Sequence, residues 1–267
     1  MQEVGENMNK DNKKNTKRVL ITAGPTNEYI DEVMKITNMS TGRLGVELTK
    51  NFLNNGCEVV LICTRSVQRS GLYERYALEK KVNLTTIPIE TTEDMFKALY
   101  KERNSKYDLV IHASAVGDYK PEFSFRMEDL AKEILERVKE GATYESILAV
   151  LTNPKCKVDN NTKISSYEPN LTVKLTLTTK LISRLKEWFP ESVLVGFKLL
   201  ENVSRQHIID VAQKLCVKNQ MDFIIANDLA DLRKGNHISY LVNKNGFAGK
   251  EFHSPKDIFE ETYSLIQ

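Results

Sequence analysis

Short, unbroken apolar runs recur along the chain, separated by amphipathic stretches. This is the rhythm of strands buried on both faces alternating with helices. Residues 18–22, 57–63, 83–88 and 108–113 read as strands. Between them, residues 43–54 place Leu44, Leu48 and Phe52 on one helical face with Gly56 just beyond. Residues 91–104 form a second helix, with Thr91 or Thr92 as cap and Met95 and Leu99 on its apolar side. The rhythm breaks at 122–161, which is charged and helix-prone, most of all at 127–139, and reads as an insertion or lid or as a plain surface helix. It then resumes: strand 171–177, helix 178–188 ended by Pro190, strand 192–197, helix 203–218 and strand 222–226. Strand 238–242 and the segment after Asn245-Gly246 predict a hairpin, and helix 254–266 with Pro255 in its first turn closes the chain. The fold class expected is α/β: a Rossmann-like, mostly parallel sheet with helices on both faces, plus a small hairpin or strand extension used in dimerisation.

Composition narrows this without changing it. The 267 residues are 41% hydrophobic and 28% charged with a net charge of +2. That balance argues against nucleic acid or an anionic membrane as partner. No apolar run reaches spanning length, and the polar start lacks an apolar signal region. Residues 1–17 are expected to be a disordered arm and 18–267 a single domain, in the cytoplasm. Cys57 and Cys63 lie in or beside an apolar strand and read as small buried hydrophobes. The four histidines are scattered without metal-ligand spacing, which argues against a dedicated zinc site.

The densest chemistry follows the first strand. Thr22-Ala-Gly-Pro-Thr26 makes a turn at Gly24-Pro25, a long polar loop reaches Asn38, and Ser40-Thr41-Gly42 opens the helix. A strand-to-helix start directs unpaired N–H groups outward and suits a phosphate. No G-x-G-x-x-G and no G-x-x-x-x-G-K-[ST] is present, so the common dinucleotide and triphosphate loops are absent. Strand 108–113 ends in His112-Ala-Ser-Ala-Val-Gly-Asp118, where small residues admit a ligand and Asp118 faces the crevice or caps a turn. By themselves the remaining candidates have bland readings. Lys163 in Lys-Ile-Ser-Ser is a solvated lysine, and Phe197 at a strand end fills the core or stacks on a base. Lys214 and Lys218, one helical turn apart, are surface charge or a polyphosphate clamp. Asn227-Asp228 ends another strand and is a crevice pair or an ordinary turn.

Together and in order, I-T-A-G-P-T, I-D, I-T-N-x-S-T-G-R-L-G, A-S-A-V-G-D-Y, K-I-S-S, V-G-F-K and K-N-Q-x-D-x-I-I-A-N-D resemble the phosphopantothenate–cysteine ligase family of coenzyme A synthesis. The likeness runs from about Arg18 to the C-terminal helix and is to the stand-alone bacterial type, in which the flavin-dependent decarboxylase half is expected to be missing. It implies a reaction in two steps. The carboxylate of 4′-phosphopantothenate attacks the α-phosphate of a nucleoside triphosphate, CTP in preference to ATP, with Mg²⁺. Cysteine's amine then displaces the nucleoside monophosphate. It also implies roles: Asn38 and Lys163 are catalytic. Gly24, His112, Ala113, Ser114, Asp118, Lys163, Thr179, Lys180, Leu181, Ile182, Phe197, Lys214 and Lys218 surround the nucleotide. Lys35, Asn38, Ser40, Thr41, Gly42 and Ala115 hold phosphopantothenate. No metal ligands are assigned, and a homodimer with sites completed by both subunits is expected.

The chain departs from the family at Met34, where many members carry an arginine reaching across the dimer; Lys35 stands next to it. Gly24-Pro25 replaces a commoner Gly-Gly, and Ser114 an alanine. Two further readings are a nicotinamide-dependent oxidoreductase, which the missing glycine fingerprint opposes, and a nucleotide-binding regulator without catalysis, toward which only Met34 points.

Overall fold

A computed structural model describes residues 16–69 and 83–267; most of the expected N-terminal arm, residues 1–15, lies outside them. The chain opens with β1 (Arg18–Ala23), β2 (Asn27–Tyr29), β3 (Lys35–Thr37), α1 (Arg43–Asn54), β4 (Glu58–Thr64) and α2 (Arg65–Arg69). It continues with β5 (Leu84–Ile89), α3 (Thr92–Glu102), β6 (Leu109–His112), β7 (Tyr119–Arg126), α4 (Met127–Lys139), α5 (Tyr144–Thr152), β8 (Lys157–Val158) and β9 (Leu171–Leu177). A 3₁₀ turn at Leu181–Arg184 leads to α6 (Leu185–Trp188), then β10 (Val193–Leu200), α7 (Arg205–Lys218), β11 (Phe223–Asp228), α8 (Leu229–Arg233), β12 (Ser239–Asn243), β13 (Gly246–Phe252) and α9 (Pro255–Ser264).

Eight strands form one sheet in the order β13-β12-β11-β10-β6-β1-β4-β5. The six from β5 to β11 run parallel; β12 and β13 add an antiparallel hairpin at the edge. The order reverses between β1 and β6. In an open parallel sheet, the crevice beyond the strand ends at such a reversal is where ligands bind. Strand side chains alternate between two helical layers. Ile21, Leu61, Ile111 and Val195 face α1 and α9 with Phe52 and Phe259. Leu20, Ile62, Val110 and Leu194 face α3, α6 and α7 with Leu99, Trp188 and Ala212. Burial on both faces is why these strands read as continuous apolar runs.

α1 lies unusually close to β1 at Gly45, where an added Cβ would sit 2.5 Å from the Cβ of Ala23. Gly45→Ala gains about 1 kcal/mol of helix propensity but forces a rigid helix–sheet contact apart at a cost of about 1–3 kcal/mol. The expected net result is a loss of about 1 kcal/mol of unfolding free energy, read as a lower urea midpoint; a raised midpoint would mean the helix shifts freely.

Two smaller sheets stand above the strand ends. β2 and β3 pair antiparallel within the loop that follows β1. β7 pairs antiparallel with β8 and β9, with a bulge between Pro121 and Phe123. The segment read as helix-prone thus begins as a strand. Its helices α4 and α5 cover the second sheet through a core of Phe123, Phe125, Leu130 and Val150. The helix expected at 178–188 starts late because Lys180 is extended and Thr178 is tied back to the β6–β7 link. The Thr178 N–H and hydroxyl donate to the carbonyls of Asp118 (3.0 Å) and Gly117 (2.5 Å).

Candidate active site

The ends of β1 and β6 are laced together by backbone. The Ala115 N–H donates to the Gly24 carbonyl at 3.0 Å, and the Thr26 N–H donates to the Ala115 carbonyl at 3.3 Å. Thr26 Oγ1 accepts from the Gly117 N–H at 2.8 Å and lies 3.1 Å from the Thr92 hydroxyl oxygen. Gly24 and Gly42 both have positive φ, +86° and +71°, and a Cβ on Gly42 would meet the Gly24 nitrogen at 3.0 Å and Val67 Cγ2 at 2.5 Å. Glycine at both positions therefore lets the β1 turn and the start of α1 touch. α1 begins at Gly42 without a side-chain cap, so its first-turn N–H groups suit an anion.

Asn38 stands on this platform. Its Nδ2 donates to the carbonyls of Ala115 (3.2 Å) and Val116 (3.1 Å), which directs its amide oxygen away from the β6 loop. Asp118, at the same strand end, pairs with the Lys180 ammonium, and both side chains are more than half exposed. Ser114 Oγ is buried with no partner among the described residues. That is a costly state for a hydroxyl inside a protein. His112 is buried and its Nδ1 lies 2.9 Å from Thr22 Oγ1. Burial pushes its pKa down to about 4, so at pH 7 it is neutral and supplies no cation.

The β2–β3 hairpin is pinned at its base and at its tip. Asn27 donates to Glu90 through its N–H (2.7 Å) and through Nδ2 (2.6 Å), and the buried Glu28 accepts from the N–H and hydroxyl of Thr92 at 2.9 and 2.6 Å. At the tip, Asp31 Oδ1 accepts from the N–H groups of Val33 (2.7 Å) and Met34 (2.6 Å), while Oδ2 accepts from the Ile164 N–H at 2.8 Å. The Met34, Ile164 and Val33 bonds, with help from the Lys163 charge, hold the Asp31 carboxyl below the ordinary carboxylate range. Lys163 is thereby held to the hairpin whose last strand leads into Asn38. β3 is three residues long, so the hairpin tip and Asn38 lie on the order of 10 Å apart along it. Lys35 and Lys163 are both exposed. Clefts of about 870 Å³, between the hairpin tip and residues 157–161, and about 500 Å³, beside Thr92 and Lys120, flank the hairpin. Of the residues expected in the site, only Thr179 lines either one.

Gly24, Asn38, Ser40, Thr41, Gly42, His112, Ala113, Ser114, Ala115, Asp118, Thr179 and Lys180 thus come together around the β1–β6 crevice, with Lys163 next to the residue that the hairpin tip holds. Leu181 is buried and Ile182 packs on the α3/α6/α7 layer. Phe197, in mid-strand, packs on the opposite layer. Lys214 and Lys218 are not brought to these groups by any contact. They are exposed in the last turns of α7, whose short link to β11 places that end toward the start of the parallel strands. Asp228 acts as the turn residue. It accepts from the N–H groups of Asn202, Val203 and Ala230 at 3.1, 3.0 and 2.6 Å, and is buried. Sequence reasoning gave no role to Thr26, Glu28, Asp31 or Thr178. The one local signal was Asp31, an aspartate with the spacing of an Asx turn.

An open α/β sheet with a glycine-lined crevice at the strand-order reversal places the protein in the Rossmann-like class, whose ligands bind at such a crevice. Residues 14–133 match the DNA/pantothenate metabolism flavoprotein C-terminal domain. The crystal structure of the DNA/pantothenate metabolism flavoprotein from Streptococcus pneumoniae is 32% identical and superposes with a TM-score of 0.71, covering 94% of this chain and 99% of that one. The coenzyme A biosynthesis bifunctional protein CoaBC of Thermococcus kodakarensis is 34% identical over 235 residues, 88% of this chain and 46% of that protein. A Cab2 variant solved in complex with phosphopantothenate-cysteine shares the fold at 18% identity, with a TM-score of 0.61 over 93% of this chain and 85% of that one. The chain therefore belongs to the DNA/pantothenate metabolism flavoprotein C-terminal domain family. It spans about half the length of the curated relatives it matches.

Proposed function

We propose that this protein joins 4′-phosphopantothenate to cysteine at the expense of a nucleoside triphosphate. The observation that carries the reading is the Asp31–Ile164 contact. It ties the segment that carries Lys163 to the tip of the hairpin whose other end leads into Asn38 and the anion-accepting helix start, which supports the reading. The relatives' naming for coenzyme A biosynthesis supports the same chemistry.

A carboxylate is a poor electrophile and is repelled by a triphosphate, so cations must first bring the two together. In the proposed cycle, the phosphate of the acid binds at Ser40, Thr41 and Gly42, with Lys35 beside it. Its carboxylate oxygen attacks the α-phosphorus, the bond to the β,γ-pyrophosphate breaks, and Lys163 stabilises the charge growing on the α-phosphate. Asn38, anchored through Nδ2, offers its free oxygen as an acceptor to an N–H or hydroxyl of the acid and so fixes the chain that carries the acyl group. The cysteine amine then attacks the acyl carbon, the nucleoside monophosphate leaves, and the amine loses a proton. The protein's own thiols take no part. Cys57 and Cys216 are buried, and burial pushes each up to about 11.

Among the described residues no group of three or more His, Cys, Asp or Glu side chains could hold a metal. A single exposed carboxylate, Asp118, suits a Mg²⁺ that arrives on the substrate's phosphates and keeps its waters. Such an ion neutralises charge on the leaving pyrophosphate. CTP is the expected nucleotide. Tyr119, Leu175 and Leu177, neighbours on β7 and β9, are exposed; a second copy of the chain covering them would make the expected homodimer.

The test is to supply phosphopantothenate, cysteine, Mg²⁺ and either CTP or ATP, and to measure pyrophosphate and the cysteine conjugate. Both products form, faster with CTP. Failure with both nucleotides overturns the reading, and a preference for ATP overturns the choice of base.

A further inference from the structure

The Asp31 carboxylate makes one more contact than its turn needs. An Asx turn uses a single side-chain oxygen, and asparagine serves there as well as aspartate. Oδ1 fills that role toward Val33 and Met34. The second oxygen crosses 133 positions of sequence to the Ile164 N–H. Ile164 is buried beneath a stretch in which Thr162, Lys163, Ser165, Ser166 and Tyr167 are all exposed. Without an anchor, a polar loop of this kind samples many conformations, and each must be given up when its lysine acts. A charged acceptor on the amide next to Lys163 removes that freedom beforehand.

We infer that Asp31 is a positioning residue whose carboxylate clamps the Lys163 segment to the hairpin ending at Asn38, so that activation of the acid and retention of the acyl group share one rigid frame. The inference rests on the ligase reading and on Lys163's role in it. Asp31 touches neither substrate nor nucleotide in this scheme; it acts through Lys163.

Asp31→Asn is the discriminating variant. Its amide oxygen still caps the turn, but its NH₂ faces the Ile164 N–H, donor against donor. Pyrophosphate release at saturating substrates falls by about 10- to 100-fold, while KM for the nucleotide stays within about twofold, because the crevice is untouched. Adding Asp31→Asn to Lys163→Ala produces no further loss, since the clamp has no other route to the chemistry. Hydrogen exchange at 162–166 quickens, with the strands of the large sheet unchanged. Wild-type turnover in Asp31→Asn, losses that add in the double variant, or unchanged exchange at Ile164 would each overturn the clamp. A wild-type protein that makes no pyrophosphate overturns the ligase reading and the catalytic purpose of the clamp with it. The exchange measurement then decides separately whether the clamp exists.

Discussion

Lys163→Ala is expected to reduce pyrophosphate release from phosphopantothenate and nucleoside triphosphate by about 10²–10³-fold, the usual cost of removing one fixed donor from a charge-developing transition state. The side chain is exposed, so its loss opens no cavity and takes from the Asp31 carboxylate only the smallest of its supports, and the unfolding free energy should hold to within about 0.5 kcal/mol. That separation of activity from stability makes the test clean. The neighbouring Ile164 keeps its burial and its bond to Asp31, so the backbone of the segment remains in place and only the ammonium is gone. The measurement is single-turnover pyrophosphate release without cysteine, which isolates the first step. Lys163→Arg should recover only part of the rate, because a planar guanidinium places its charge differently from a compact ammonium. Pyrophosphate release by Lys163→Ala at the wild-type rate would remove the lysine from the activation step.

How much of this was legible in the sequence depends on the range of the forces involved. α1 begins and ends where its apolar spacing and Gly56 place it, because a helix is specified within its own turns. β1, β4, β6 and β11 were readable as apolar runs because both faces are buried. The β2–β3 hairpin was not. Its strands have three residues each, too few for a period, and its anchors at Glu90, Thr92 and Ile164 lie 63, 64 and 133 positions away. β7 was hidden for a similar reason. It contains Pro121 and several charges and is a strand only through pairing with β9. The clustering of Asn38 with Ala115 and Asp118 followed from the rule that parallel-sheet ligands sit at strand ends. The position of Lys163 did not, since nothing within 159–166 tells which surface its buried isoleucine will find. For Lys214 and Lys218 the spacing correctly put both on one exposed face. A helix that returns from the end of β10 must finish at the other end of the sheet, and spacing alone does not carry that information.

Asn38→Asp tests the second half of the chemistry, and its design comes from the two carbonyls beneath the side chain. Asn38 Nδ2 donates to Ala115 and Val116 at 3.2 and 3.1 Å. A carboxylate can donate to neither, and an oxygen in that place would face two carbonyl oxygens, so the side chain must swing out toward solvent. The position is exposed, so the fold should lose about 1 kcal/mol or less. The effect on turnover is much larger. The acceptor that fixes the acyl chain moves away and leaves a negative charge beside an anionic intermediate, so formation of the cysteine conjugate should fall by about 100-fold. Pyrophosphate release, governed by Lys163 and the nucleotide, should fall less, and the acyl-nucleotidylate should accumulate in rapid-quench samples. Asn38→Ala separates the two causes: it removes the holding group without adding charge, and should lie between wild type and Asn38→Asp in conjugate formation. Equal rates for all three proteins would place Asn38 away from the reacting carbon. Equal losses in both half-reactions would make it a general binding residue, not one that acts after activation.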